Sequence, residues 1–212
     1  MREIFLAFFL LCPLLASGFD FVIVKYRSGD WYNASDGVKN FLAELAQRTT
    51  VDTVPLPVEL PLDDDRIFEH SFLFLNGHVP VLLDEKEKAN LKKFILNGGF
   101  LFANDDYGLD ESFRKLIAEL FPGYPFEQVS FAHPLYHSFY HFDKGLPKIH
   151  EHDGGTPEGW GLFIDGRLAV FYAYNADIAD GWDYPEVHND PVEKREAAFR
   201  MGVNIVIYSL TY

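Results

Sequence analysis

Three short polar stretches hold the side chains best suited to chemistry: Gly77-His78, Asn104-Asp105-Asp106 and Gly29-Asp30-Trp31-Tyr32. A histidine beside a carboxylate can act as a general base or as half of a metal-ligand pair. His78, Asp105 and Asp106 are therefore the candidate catalytic residues, with Asp30, Trp31 and Tyr32 as candidate ligand contacts. The plainer alternative is that one aspartate caps the following helix while His78 makes a structural hydrogen bond.

Other stretches carry weaker signals. His133, His137 and His141 fall at i, i+4 and i+8, so a helix starting at Pro134 would put at least two of them on one face. Zinc sites use that spacing of two histidines with a glutamate between them, whereas Pro134-Leu135-Tyr136 stands here, so aromatic packing is the competing account. His150-Glu151-His152-Asp153 has a metal-friendly composition, which a solvated loop also explains. The run from Asp177 to Trp182 pairs carboxylates with an indole, as sugar sites do, or is a turn packed by Trp182. Arg27 and Arg167 could each grip a carboxylate or phosphate, although Arg167 reads more simply as a hairpin-turn residue. Asn204 reads as a buried amide, and Asp63-Asp64-Asp65 as a helix start rather than a calcium loop.

The elements that must position these residues follow from hydrophobic spacing. Phe72–Leu75 reads as a strand, Asp84–Asn97 as a helix stopped by Gly98, and Phe100–Ala103 as the next strand, a βαβ crossover with polar residues beyond both strand ends. Parallel sheets usually bind ligands there, and neighbouring strands lie about 4.8 Å apart, so His78 would approach Asp105 or Asp106. Phe21–Tyr26 is a first strand, residues 36–48 an amphipathic helix, and Val51–Val54 a short second strand, with Pro55, Pro57 and Pro61 forbidding regular structure soon after. Asp110 is placed to cap a helix that Pro122-Gly123 ends. Leu162–Ile164 and Leu168–Tyr172 flank Asp165-Gly166-Arg167 as a β-hairpin, and residues 191–208 form the last helix.

Composition narrows the function. A net charge of −14 opposes phosphate backbones and anionic membrane surfaces, so no nucleic-acid partner is expected. Arg2, an apolar run from Ile4 to Leu15 and Ala16-Ser17-Gly18 have the layout of a secretory signal peptide over residues 1–18. The run is too short for a permanent membrane span. Cys12, the only cysteine, lies inside it. A cleaved chain would have no thiol for catalysis, a disulfide or metal binding. The expectation is a single α/β domain over residues 19–212, secreted or periplasmic.

The Gly-Asp-Trp-Tyr at 29–32, Gly77-His78, Gly98-Gly99-Phe100-Leu101 with Asp105-Asp106, His133-Pro134, Asp165-Gly166-Arg167 and Gly202-Val203-Asn204-Ile205-Val206 form an ordered set. In order and spacing they resemble the bacterial domain-of-unknown-function family 4159. The resemblance implies a three-layer flavodoxin-like sandwich, similar to the class I glutamine amidotransferase-like superfamily, with a mostly parallel central sheet and a C-terminal β-hairpin. It implies no assigned reaction. Amidotransferases need a nucleophilic cysteine, which a chain without its leader would lack. The functional expectation is a pocket at the strand C-termini that binds a small polar or carbohydrate-like ligand or an envelope partner, with Arg27, Asp30, Trp31, Tyr32, His133, Asp177 and Trp182 as contacts. The alternative is a hydrolase, metal-assisted or driven by His78 and its aspartates. No cofactor is required by the first reading; a divalent metal belongs to the second.

Overall fold

The computed structural model describes residues 18–150 and 154–212, so the expected leader, apart from Gly18, and the Glu151–Asp153 part of the His150 loop lie outside the described residues. Seven strands form one sheet: β1 (Val22–Val24), β2 (Val58–Leu60), β3 (Phe72–Gly77), β4 (Phe100–Asp105), β5 (Phe126–Gln128), β6 (Glu158–Ile164) and β7 (Arg167–Tyr174), in the order β2-β1-β3-β4-β7-β6-β5. The strands from β2 to β7 in that order pair in parallel, while β6 and β5 add an antiparallel flank. The expected mixed α/β architecture with a mostly parallel sheet is present.

Among the described residues the α-helices are α1 (Ser35–Arg48), α2 (Glu85–Leu96), α3 (Asp110–Leu120), whose N-cap is Leu109 rather than the expected Asp110, the single turn α4 (Pro185–His188) and α5 (Val192–Thr211). Strand residues alternate between two cores, as the two-residue period of a strand requires. Ile23, Phe72, Phe74, Phe100 and Phe102 face α1 and α5, whereas Val22, Val24, Leu73, Leu75 and Leu101 face α2 and α3. This explains the near-continuous apolar runs: a strand covered on both faces has no solvent side to leave polar. Register pairs Phe72 with Phe100 and Phe74 with Phe102, and their rings lie 5.7 and 5.2 Å apart.

Local chemistry sets the element ends. Asp84 and Glu87 form a reciprocal capping box at the start of α2. Gly98, with φ of 98°, ends it, and the Gly99 N–H donates to the Phe94 carbonyl at 3.0 Å. Asp165 and Gly166 both have positive φ and turn the β6–β7 hairpin in the two residues expected of it. Asp64 accepts from the Arg66 N–H and starts a 3-10 turn, the helix-start reading of the acidic triplet.

Two sequence expectations need correction. The second strand is not Val51–Val54, where Thr53 makes only an isolated bridge to Phe19; it is Val58–Leu60, among the prolines. Because β2 is the sheet edge, its outer side needs no partner, and prolines at 57 and 61 can flank it. The segment after Pro134 is not a regular helix but a four-residue 3-10 turn, Pro134–His137.

Candidate functional site

The loops after β1, β3, β4 and β7 meet at the C-terminal edge of the parallel strands. Asp30, after β1, accepts from the His78 backbone N–H through Oδ1 at 2.9 Å, and its Oδ2 lies 2.7 Å from His78 Nδ1. On the other side of the ring, Nε2 lies 3.0 Å from Asp106 Oδ2. His78 is thus clamped between carboxylates from two different strands. Hydrogen bonding to Asp106, ahead of its charge and the contribution of Asp30, raises the imidazole to about 9 against a desolvation cost. At neutral pH the ring is a cation.

Glycine makes the clamp possible. Gly77 has φ of 153°, and a Cβ there would collide with the Tyr26 hydroxyl and Asp30 Oδ1. Gly108 has φ of 156°, and a Cβ there would strike the His78 carbonyl. The Tyr26 hydroxyl is buried below Asp30 without a hydrogen-bond partner among the described residues. Burial, then the charges of Asp30, Asp106 and Asp105, hold its pKa above the usual tyrosine range.

A buried amide pair extends the site. Asn76 and Asn104 are register partners; Asn104 donates to Asn76 Oδ1 at 2.7 Å and accepts from the Ile178 N–H at 2.8 Å. This ties the loop after β7 to the centre of the sheet and brings Asp177 and Asp180 to Asp106, each offering an oxygen within 4.8 Å of the others. Burial, followed by the charge of Asp106, pushes Asp180 up to about 7 and holds Asp177 well above the usual carboxylate range. Beyond Asp180 stand His150, in the loop before β6, and His188, at the end of α4. A cavity of about 230 Å³ opens here, lined by Asn33, Asn76, His78, Asp106, Asp180 and His188, among others.

The sequence-derived candidates separate cleanly. Asp30, His78, Asp106 and Asp177 converge. Asp105 does not join them, because strand alternation points it to the opposite face: its Oδ1 accepts from the Gly108 and Leu109 N–H groups at 2.9 Å each, and its Oδ2 accepts from the Tyr172 hydroxyl at 2.8 Å. Asp105 thus holds the loop that leads into α3, and Asp106 is the aspartate that meets His78. His78 is also poorly suited to being a general base, since both nitrogens face carboxylates and the ring holds its proton at neutral pH.

Trp182 is fully buried, stacked on Phe41 at 4.5 Å, with its indole N–H donated to the Ala198 carbonyl, so it packs the turn rather than a sugar. Arg27 pairs with Asp84 and Glu87 at the start of α2. Trp31 and Tyr32 sit beside the clamp, Trp31 under Lys25 and Tyr32 largely exposed. His133 is packed between Phe163 and Tyr208, where desolvation lowers its pKa. His137 and His141 face each other at 3.4 Å. Arg167 reaches the Ile95 and Gly99 carbonyls, and Asn204 bonds Phe139 and Tyr140, both structural.

Sequence reasoning missed His188 and Asn76 and met Asp180 only as part of a loop. His188 follows a proline-led turn, and its one signal is composition, Asp183 and His188 being two ligand-type residues near an acidic run. Among proteins of curated function, no match to the chain is found. A family model does match, over residues 20–210, a span that contains every residue of the clamp: the chain belongs to the domain-of-unknown-function family DUF4159.

Proposed function

We propose that the protein binds a small, donor-rich polar ligand, of carbohydrate or amine character, in the cleft between the Asp30–His78–Asp106 clamp and Asp180. The carrying observation is that this clamp borders a cavity of about 230 Å³ whose lining is rich in carboxylate and amide oxygens. Oxygen acceptors select ligands that bring hydroxyl or ammonium donors, and the volume suits a small one. The position supports the reading. The parallel strands run in the order 2-1-3-4-7, the arrangement of flavodoxin-like sheets, and Asp30 and His78 follow β1 and β3, between which chain direction across the sheet reverses. Such switch points are preferred ligand crevices. The amidotransferase-like relationship is part of this inference for the fold only. A location outside the cytoplasm is part of this proposal, supported by the leader-like layout of residues 1–18. No helix of the described residues is long and apolar enough to cross a membrane.

The test is a thermal-shift panel of monosaccharides, polyols and small amines, with hits measured by calorimetry against wild type, Asp30→Asn and Asp106→Asn. Binding by wild type and its loss in both folded variants is the expected result. A panel without a hit, or variants that bind as well as wild type, would refute it. A hydrolytic reading has one observation behind it, the two ligand-capable triads that share Asp180. Because both nitrogens of His78 are taken by carboxylates, a metal at those triads supports that chemistry better than a histidine base does.

A further inference from the structure

The geometry points to a divalent transition-metal site of the Zn²⁺ class, formed by His150, Asp180 and His188 and opening on the same cavity. It rests on the reading of that cavity as a ligand site and adds the ion to it. The three side chains come from three separate segments: the loop before β6, the 3-10 turn Asp180–Trp182 after β7, and the end of α4. They offer ligand atoms that all lie within 4.8 Å of one another.

The spacing is what separates this group from an ordinary ion-pair cluster. His150 Nδ1 and His188 Nδ1 lie 3.6 and 3.5 Å from the same oxygen, Asp180 Oδ2. Those separations are long for hydrogen bonds. They match the edge of a tetrahedron drawn with metal–ligand bonds of about 2.1 Å, which is roughly 3.4 Å. Nitrogen and oxygen donors in this ratio suit zinc and its first-row neighbours rather than calcium or magnesium.

The orientation of His188 supplies an independent argument. Its Nε2 lies 3.0 Å from Asp183 Oδ2, so that nitrogen is engaged by the carboxylate of Asp183. Nδ1 is left facing Asp180 Oδ2 at 3.5 Å, on the side where His150 also stands. A carboxylate holding the far side of a ligating histidine is the usual outer support of a zinc site. Asp183 is therefore a positioning residue. A dication here also offsets the crowding of Asp106 and Asp177 against Asp180. With three protein ligands, the remaining position faces the cavity, where Asp180 and His188 are both part of the lining.

The experiment is Zn²⁺ titration of the chelator-stripped full chain by calorimetry, with Co²⁺ as a visible-absorption probe of tetrahedral geometry. Wild type should bind one ion per chain with intense Co²⁺ bands. His150→Gln/His188→Gln, checked for folding by circular dichroism, should lose at least about 100-fold in affinity, and Asp183→Asn about 10- to 100-fold with the stoichiometry kept. If the double variant unfolds, His188→Gln alone carries the test, with the same direction of change. His137→Ala/His141→Ala, which removes the other histidine pair, should bind as wild type does. No ion bound by wild type, or full affinity in the folded His188→Gln variant, overturns the site. A wild type that shifts with saccharides yet takes no Zn²⁺ refutes the metal alone, and one that takes Zn²⁺ yet no panel compound upholds the metal and refutes the ligand reading.

Discussion

Histidine–aspartate pairs occupy both ends of the sheet. At the N-terminal edge His70, before β3, lies 2.5 Å from Asp20, before β1, next to a cavity of about 400 Å³. At the C-terminal edge His78, after β3, meets Asp30, after β1, next to a cavity of about 230 Å³. The same two strands therefore carry a similar pair at each end, with the larger cavity at the N-terminal one. The difference lies in what else arrives. Among the described residues His70 has one carboxylate, whereas His78 has two, and Asp106 links it onward to Asp177, Asp180 and the two histidines. A His–Asp pair and an opening do not make a site. Convergence of several loops does, and parallel strands deliver their loops together at the end where the ligand crevice forms.

The largest effect that would sharpen this contrast belongs to Asp105, which shares the C-terminal edge but supports the scaffold. Asp105→Ala strands two backbone N–H groups and leaves the Tyr172 hydroxyl with Asp110 alone, so unfolding experiments should show a loss of about 3 kcal/mol. A melting temperature lower by roughly 6–12 °C corresponds to it. A variant of unchanged stability would erase the division between Asp105 and Asp106.

Next in size is the ligand effect. Asp106→Asn should weaken any ligand found for the cleft about 10- to 100-fold by calorimetry, the cost of one charged hydrogen bond, while leaving the melting temperature within a few degrees. The same variant should also bring the His78 titration, followed by imidazole proton resonances, down from about 9 toward the ordinary value of about 6.5.

A smaller effect follows from pH. The folded-state pKa of His78 is raised, so the stability contributed by its clamp is fully present below about pH 6.5 and disappears as pH climbs through about 9. The stability difference between wild type and His78→Gln, measured by denaturant unfolding, should shrink across that window. The ring is nearly half exposed, so solvent screening keeps the change modest. A difference that grows with pH would mean that the ring is neutral in the folded protein.

The smallest effect should come from the other edge. His70→Gln should cost about 1 kcal/mol or less and leave ligand affinity untouched. Loss of ligand binding in this variant would break the comparison outright and move the site to the N-terminal edge.

Much of the fold was legible in the chain because it is written locally. The Phe72–Leu75 and Phe100–Ala103 runs, the Asp84 cap, the Gly98 stop and the Asp165-Gly166 turn each depend on neighbours a few residues away. β2 and β5 were not legible, since three-residue edge strands carry too little pattern and β2 sits among prolines. His78 and the aspartates after β4 could be found from strand-end position, and Asp30 from its place after the first strand. The sequence could not choose between Asp105 and Asp106, because adjacent residues are equivalent in composition and opposite in direction. That choice came from the pleat of β4, which sends one to the Gly108 and Leu109 N–H groups and the other to His78. His150 lies far before Asp180 in the chain, and the separation of Asp180 from His188 fits neither a helical nor a strand repeat across the proline-led turn between them. The sequence by itself determined which strand ends would be polar, through the burial of everything between them. Only the tertiary structure decided which of those polar groups meet, since closure of the Asn104–Ile178 hydrogen bond and the docking of α4 act between segments far apart in the chain.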